Sequence, residues 1–302
     1  MKSPSNVEVR RCRPLLGTFV EIAARARSQA RLSRALEAAF DAVSHVHRLM
    51  SFHDRESDVS RMNRDAFSKS VCVHPWTWRV LECAQEFSRN TDGVFDITMA
   101  RQLVKWNYLP KPDARFAGGS WRDIVLEDKC SVRFRRPVIV DLGGIAKGFA
   151  VDCAIEALKS NDVVAGIANA GGDLRTFGAT SQLVYVRHPA EPARAAGMVR
   201  LRERAMATSG IYFTRRKDRD RCVSPLLDGW TRRPARELIS VSVAATECMP
   251  ADALTKIVFA LREKAAPLLE RCRADALLLE ANAAPCWIFH SQCDTRDQIQ
   301  FD

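Results

Sequence analysis

The chain has 302 residues, with 46 Lys+Arg against 36 Asp+Glu and a formal charge of +10. Hydrophobic residues make up 47% and charged residues 27%, a globular balance that excludes disorder, collagen and low-complexity arrays. No run approaches the roughly 18 consecutive apolar residues of a membrane-spanning helix, and the opening MKSPSNVEVRRCRPLLGTF lacks the apolar core of a secretory signal. Ten cysteines stand far apart without a CxxC pair. Without an export signal, that pattern favours free thiols and a cytoplasmic setting over a disulfide framework or a zinc site.

In chain order, residues 15–26 (LLGTFVEIAARA) read as an opening strand. Leu36, Phe40, Val43, His47 and Met50 then recur at helical spacing, predicting a helix over 28–50 with one apolar stripe. His47 on that stripe reads as a packed, hydrogen-bonded histidine. The polar run 51–65 interrupts the periodicity. A second helix is expected over 75–90, closed by Thr91-Asp92-Gly93. Residues 105–120 carry Pro110, Pro112, Gly118 and Gly119 and read as a surface excursion, too weak to divide the 302-residue chain into two domains.

Beyond it, strand-like runs at 121–128, 131–136, 137–142, 162–171, 182–188, 237–245 and 286–292 alternate with helical patterns at 148–160 and 251–272. Short neighbouring strands with a few long helices predict an α+β (mixed α/β) fold: a predominantly antiparallel sheet with flanking helices. Arg133, Arg135 and Arg136, and the run Arg215, Arg216, Lys217, Arg219 and Arg221, raise the question of nucleic acid. The second run alternates with Asp218 and Asp220, which reads as a solvated loop, and no helix-turn-helix, zinc finger or RNP pattern accompanies it.

The sharpest local feature is PVIVDLGGIAKGFAVDCAIEAL. An expected buried strand ends in Asp141-Leu142-Gly143-Gly144, and Gly148 precedes an expected helix. Paired glycines at a strand-to-helix turn let backbone N–H groups approach an anion, the helix N-terminus adds positive potential, and Lys147 can reach a phosphate. The motif is neither GxxxxGK[ST] nor GxGxxG. A purely structural turn with a solvated lysine explains the same residues. Asn169-Ala170-Gly171-Gly172-Asp173 forms a second such turn. Ala251-Asp252 opens a helix after Pro250, where Asp252 also reads as a simple cap. Three Gly/Asp turns suit a large phosphorylated ligand. Neither GxSxG nor HExxH is present.

These motifs resemble the ApbE family of FAD:protein FMN transferases, in family order from Leu15 to Phe289. Leu15-Leu16-Gly17-Thr18 is similar to the opening MGT element. Met50-Ser51-Phe52-His53, with the segment ending at Asn63, resembles M-S-x-Y and its tail. Gly93-Val94-Phe95-Asp96-Ile97-Thr98 matches G-x-F-D-x-T, and residues 141–148 match D-L-G-G-x-A-K-G. Residues 169–173 match N-A-G-G-D, and Thr208-Ser209-Gly210 matches a T-S-G turn. The resemblance implies transfer of the FMN half of FAD to a threonine hydroxyl of a target flavoprotein, with AMP released; the charge pattern and the short apolar runs argue separately against a nucleic-acid partner and a membrane span. It implies FAD contacts from Leu16, His53, Val94, Phe95, Asp96, Asp141, Lys147 and Leu226. It also implies Mg²⁺ held by the Gly144 carbonyl and the Asp252 side chain.

Three positions depart from the pattern. The family threonine four residues after the Asp is Lys256 here, and the nearest hydroxyl, Thr255, is turned about 100° round a helix from that position. Asp252 and Lys256 share a helix face, so the ammonium is expected to do part of the metal's work; an ordinary exposed i,i+4 ion pair is the alternative. Pro225 stands at the family's catalytic histidine, which leaves Asp228, with His53 behind it, as the candidate proton acceptor. Asp228 beside Gly229 equally reads as a turn residue. His53 replaces a tyrosine. The alternatives to a working transferase are an FAD binder without transfer activity and an FAD pyrophosphatase.

Overall fold

The computed structural model describes residues 7–113, 115–211, 214–218, 221–234, 239–280, 285–289 and 299–300. The first six residues, Arg219, Asp220 and the strand ends expected at 237–238 and 290–292 lie outside the described residues. The opening is a hairpin of two strands rather than one, β1 (Val7–Leu15) and β2 (Thr18–Ala26). No residue of β1 is fully buried, so its Val/Arg alternation carries little apolar signal, as suits a charged sheet edge. Helix α1 (Gln29–Met50) follows, its N-terminus capped by the Ser28 side chain. The polar run expected to be irregular holds α2 (Asp58–Asp65), capped by Ser57. Two turns burying only Val59, Met62 and Asn63 among the apolar and amide residues leave too short a stripe to read by periodicity.

Next come β3 (Val71–Cys72), α3 (Pro75–Asn90) over the expected residues, α4 (Ala100–Lys105), β4 (Ile124–Glu127) and β5 (Ser131–Phe134). Strands β3, β5 and β4 make a small antiparallel sheet. Val138, Ile139, Val140 and Leu142 are buried, but residues 137–142 form no strand. At Val140 the ladder partner is a side chain: the Asn63 amide donates to the Val140 carbonyl (3.0 Å) and accepts from its N–H (2.7 Å).

The remaining elements are α5 (Ala146–Lys159), β6 (Ala165–Ala170), β7 (Asp173–Phe177), β8 (Gln182–Arg187), β9 (Ala195–Leu201), β10 (Ala205–Gly210), β11 (Arg216–Asp218) and β12 (Arg221–Val223). After them run β13 (Ile239–Ala245), α6 (Cys248–Leu261), α7 (Ala266–Arg271), β14 (Asp275–Glu280), β15 (Cys286–Phe289) and β16 (Ile299–Gln300). The single helix expected over 251–272 is broken at Arg262 (φ 53°), and Pro267 restarts it as α7. Helix α5 begins two residues before Gly148, which is therefore a helical residue and does not precede the helix.

The main sheet has eight strands in the order β1-β2-β6-β7-β10-β13-β14-β15, all antiparallel neighbours, which makes the fold α+β. Helices α1, α5 and α6 pack side by side along it, on β1/β2, β6/β7 and β10/β13 respectively. A second apolar cluster joins Leu174, Met206, Leu277 and Leu279 of the main sheet to Val186, Val199 and Leu201 of β8 and β9. In the basic run, Arg216–Asp218 and Arg221–Val223 pair as two short antiparallel strands; Arg215, Arg216 and Lys217 are exposed as expected, yet Arg216 stacks on the Tyr108 ring (3.8 Å) and donates to the Trp106 carbonyl (2.6 Å). Among the described residues no helix is long and apolar enough to cross a membrane.

Candidate functional site

Two tight hairpin turns meet at one end of the main sheet. Leu16 and Gly17 (φ 56° and 70°) join β1 to β2, and Gly171 and Gly172 (φ 67° and 107°) join β6 to β7. Both turns need left-handed backbone at two positions, which glycine adopts without a steric cost. Pairing of β2 with β6 brings the turns together, so that a Cβ on Gly171 would stand 2.6 Å from Thr18 Oγ1. Asn169 Oδ1 accepts from the Gly172 N–H (3.0 Å), and the Leu16 N–H donates to His47 Nδ1 (3.4 Å). His47 is thus the hydrogen-bonded histidine its place on the stripe predicted. Thr208-Ser209-Gly210 ends strand β10 at the same sheet end, where a turn was expected.

Above this end α5 and α6 cap one another. Asp152 of α5 accepts from the first amides of α6, Cys248 N–H (2.9 Å) and Met249 N–H (2.8 Å). Asp252, one turn into α6, accepts from the Gly148 N–H in the first turn of α5 (3.1 Å). The expectation that Asp252 caps its own helix is therefore replaced by a reciprocal arrangement. Helix α6 starts at Cys248, three residues earlier than the sequence pattern indicates, so Asp252 is too deep to be its cap. The crossing is tight enough to demand glycine at 148, where a Cβ would run into the Cys248 carbonyl and lie 2.9 Å from the Asp252 Cβ.

Four charges gather beside this crossing. Lys147 pairs with Asp173, and Lys256 pairs with Asp252 Oδ1 while donating to the Asp252 carbonyl (2.9 Å). Asp173 and Asp252 are buried, at 1% and 0% exposure. The Lys256 side chain is only 20% exposed, so the pair is no ordinary surface ion pair. Burial would lower the Lys147 ammonium pKa, but Asp173 and Asp252 outweigh it and raise the pKa above the usual lysine range. Burial raises the Asp173 carboxyl. Burial pushes Asp252 the same way, yet Lys147 and Lys256 hold it below the ordinary value. Thr255 is fully buried, its hydroxyl bonded to the Asp252 carbonyl (2.7 Å) and to Ser209 Oγ (2.7 Å). Gly144 sits over Lys256 and Phe95: a Cβ there would be 3.6 Å from Lys256 Cε and 3.8 Å from the Phe95 ring.

The other rim is built on residues 92–97. The Asp141 N–H donates to the Ile97 carbonyl (2.9 Å). Burial raises the Asp141 carboxyl, opposed by the Gly143 and Leu142 amides and by the nearby exposed His53. Burial likewise raises Asp96, whose oxygens accept from the Thr98 N–H and hydroxyl (both 2.8 Å) and the Trp121 N–H (3.2 Å). Gly229 packs on the Gly93 and Val94 carbonyls, which lays the Leu226–Asp228 segment on this rim. Leu226 is buried. Asp228 Oδ1 accepts from the Trp230 N–H (2.7 Å) and the Thr231 N–H (3.1 Å), as its turn reading predicted. Its other oxygen carries no hydrogen bond among the described residues.

Of the sequence candidates, Phe95, Gly144, Lys147, Asp252, Thr255 and Lys256 thus share one cluster. His53 lies near Asp141, Leu226 and Asp228 belong to the segment that Gly229 packs on Val94, Asp96 is held by Thr98 and Trp121 on the same rim, and Leu16 marks the hairpin tip. Asp173, Ser209 and Asp152 were not singled out. The first two lie inside quoted motifs, whereas Asp152 carries no sequence signal of its own.

Known proteins share this chain's sequence pattern and fold. The FAD:protein FMN transferase of Klebsiella pneumoniae is 26% identical over 258 residues, 80% of this chain and 81% of that protein. That of Treponema pallidum is 28% identical over 306 residues, 90% and 84% of the two chains. The crystal structure of the ApbE protein of Thermotoga maritima superposes with a TM-score of 0.82 at 27% identity, covering 94% of this chain and 97% of that one. The flavin transferase ApbE of Vibrio cholerae shares the fold, with a TM-score of 0.77 at 22% identity and the same coverage. The ApbE family model matches residues 16–278, a stretch that begins at the first hairpin turn and takes in both rims and the charge cluster. The chain belongs to the ApbE family.

Proposed function

We infer that this chain is an FAD:protein FMN transferase. A threonine Oγ of a target flavoprotein attacks the FMN phosphorus of FAD, the bridging P–O bond breaks, and AMP leaves. The hydroxyl proton passes to a base. The observation that carries this reading is the convergence of Lys147, Asp173, Asp252 and Lys256 at the sheet end, beside the bare Gly144 turn and the Phe95 ring. A ligand with a pyrophosphate and aromatic ends suits such a site, because fixed cations in a partly buried cluster stabilise phosphate charge better than solvated ones. We assign FAD contacts to Leu16, His53, Val94, Phe95, Asp96, Asp141, Lys147 and Leu226. Asp228, with one oxygen held by its turn and the other without a hydrogen bond among the described residues, is the base we favour over His53.

The donors do not fit the Mg²⁺ of the resemblance. Lys256 Nζ lies on Asp252 Oδ1, Asp252 Oδ2 takes the Gly148 amide, and the Thr255 hydroxyl is committed to Asp252 and Ser209. Mg²⁺ requires a near-ideal octahedron of oxygens. The reaction proposed here therefore runs on the chain's own charges. The nine described cysteines are free, and burial pushes Cys83 and Cys153 up to about 12. Free thiols support a reducing compartment such as the cytoplasm.

Incubation with FAD and a target domain bearing an acceptor threonine should give in-gel flavin fluorescence of the target and one AMP per flavin. Asp228→Asn should slow labelling by about 10²–10⁴-fold, the usual share of a general base. Pro225, which carries no titratable group at the family histidine position, favours a second reading as a non-catalytic FAD binder. FAD binding without AMP would select that reading, and AMP without labelled target would select a pyrophosphatase.

A further inference from the structure

We propose that Lys256 is a built-in cation for the pyrophosphate, so that this site binds FAD without a divalent metal. The proposal rests on FAD being the ligand. An ammonium has three N–H donors. Two point at Asp252, one at its carboxylate and one at its carbonyl, and the third remains for a ligand. The lysine stem runs under Gly144, the one residue of the turn whose missing side chain leaves its surface open to Lys256 and Phe95. A phosphate at that turn meets the ammonium directly.

Charge counting points the same way. Asp173 and Asp252 are balanced one for one by Lys147 and Lys256, so the cluster is neutral as built. A threonine at 256 would leave one net negative charge, which a divalent ion would turn into one positive. With Lys256 present, a divalent ion must displace an ammonium from Asp252 and then sit beside it, at a cost in both ligands and repulsion. The lysine supplies one positive charge in place of two, always present and held by a buried partner.

The test is FAD binding by the full-length chain, read from quenching of flavin fluorescence in EDTA and in millimolar Mg²⁺, with calorimetry of Mg²⁺ alone. The wild type should give the same Kd in both buffers within about twofold, and no heat with Mg²⁺. Lys256→Thr should bind FAD about ten- to hundredfold more weakly in EDTA, the range for losing a charge-assisted hydrogen bond, and recover with Mg²⁺. A wild type that binds FAD tenfold or more tightly with Mg²⁺ would overturn the proposal, and so would a folded Lys256→Thr that binds as well as wild type in EDTA. The wild-type comparison stands even if the variant misfolds. Failure of FAD to bind in either buffer would instead overturn the functional reading on which the proposal rests.

Discussion

Asp152 shows how much one carboxylate can hold. It caps two amides of α6 and pairs with Arg175 of β7 (2.9 Å), tying two helices and the sheet at one buried point. Burial raises its pKa against the pull of those amides and of Arg175. Asp152→Ala leaves two helix-end N–H groups without their cap and a nearly buried guanidinium with, among the described residues, Glu156 (3.3 Å) as its remaining carboxylate. Removing one partner of a buried pair costs about 3–5 kcal/mol, and the residual Glu156 contact places the expected loss near the low end. Urea unfolding should report it as a lower midpoint at unchanged slope; a loss under about 1 kcal/mol, the worth of an exposed pair, would show that the caps are dispensable. The sequence pattern marks the matching residue, Asp252, but nothing local marks its partner, Asp152. A cap supplied by another helix has no local spacing, so the reading that assigned Asp252 to its own helix had nothing to correct it.

At the scale of elements, the pattern at 137–142 predicts a strand, and the structure has an irregular segment clamped at Val140 by a side chain. The pattern PVIVDL announces burial correctly, yet periodicity cannot say whether the hydrogen-bond partner is a strand or an amide 77 residues away. Asn63 imitates a ladder by offering Val140 both a donor and an acceptor. Its place on α2 was invisible because α2 itself was read as a polar interruption. Strands β7 and β10 escaped for a related reason: Arg175 and Thr176 make a fully buried strand look polar, and AMATSG has side chains too small to mark one. Asn63→Leu keeps the branched shape and the number of heavy atoms and removes both bonds. Two orphaned backbone groups at about 1–3 kcal/mol each predict a loss of about 2–6 kcal/mol. Amide exchange at Val140 should accelerate well before global unfolding, and protection that remains unchanged would mean that the clamp is redundant. Asp141, the next residue, should lose its fixed position, weakening flavin binding in the same variant.

Across the whole molecule, the elements that build the site come from opposite ends of the chain, and only the ordered motifs announced that they would meet. The antiparallel sheet makes the meeting possible by bringing the hairpin turns at 16–17 and 171–172 to one end, under the crossing of α5 and α6. A ligand bridging these parts must therefore stabilise the folded chain as a whole. At a hundredfold excess over Kd, ligand linkage contributes about 2.7 kcal/mol. A chain of 302 residues unfolds with an entropy of about 0.6 kcal/mol/K at roughly 2.1 cal/mol/K per residue. The ratio predicts a rise in Tm of about 4 °C with FAD. Riboflavin, which has the ring but no pyrophosphate, should give less than half of that shift at the same concentration. Lys147→Glu puts a third carboxylate beside Asp173 and Asp252 and should abolish the FAD-induced shift, whatever it does to the starting Tm. The comparison is between shifts, so a generally weakened variant cannot mimic the result. An equal response to riboflavin, or a full FAD shift in Lys147→Glu, would place the pyrophosphate away from the charge cluster.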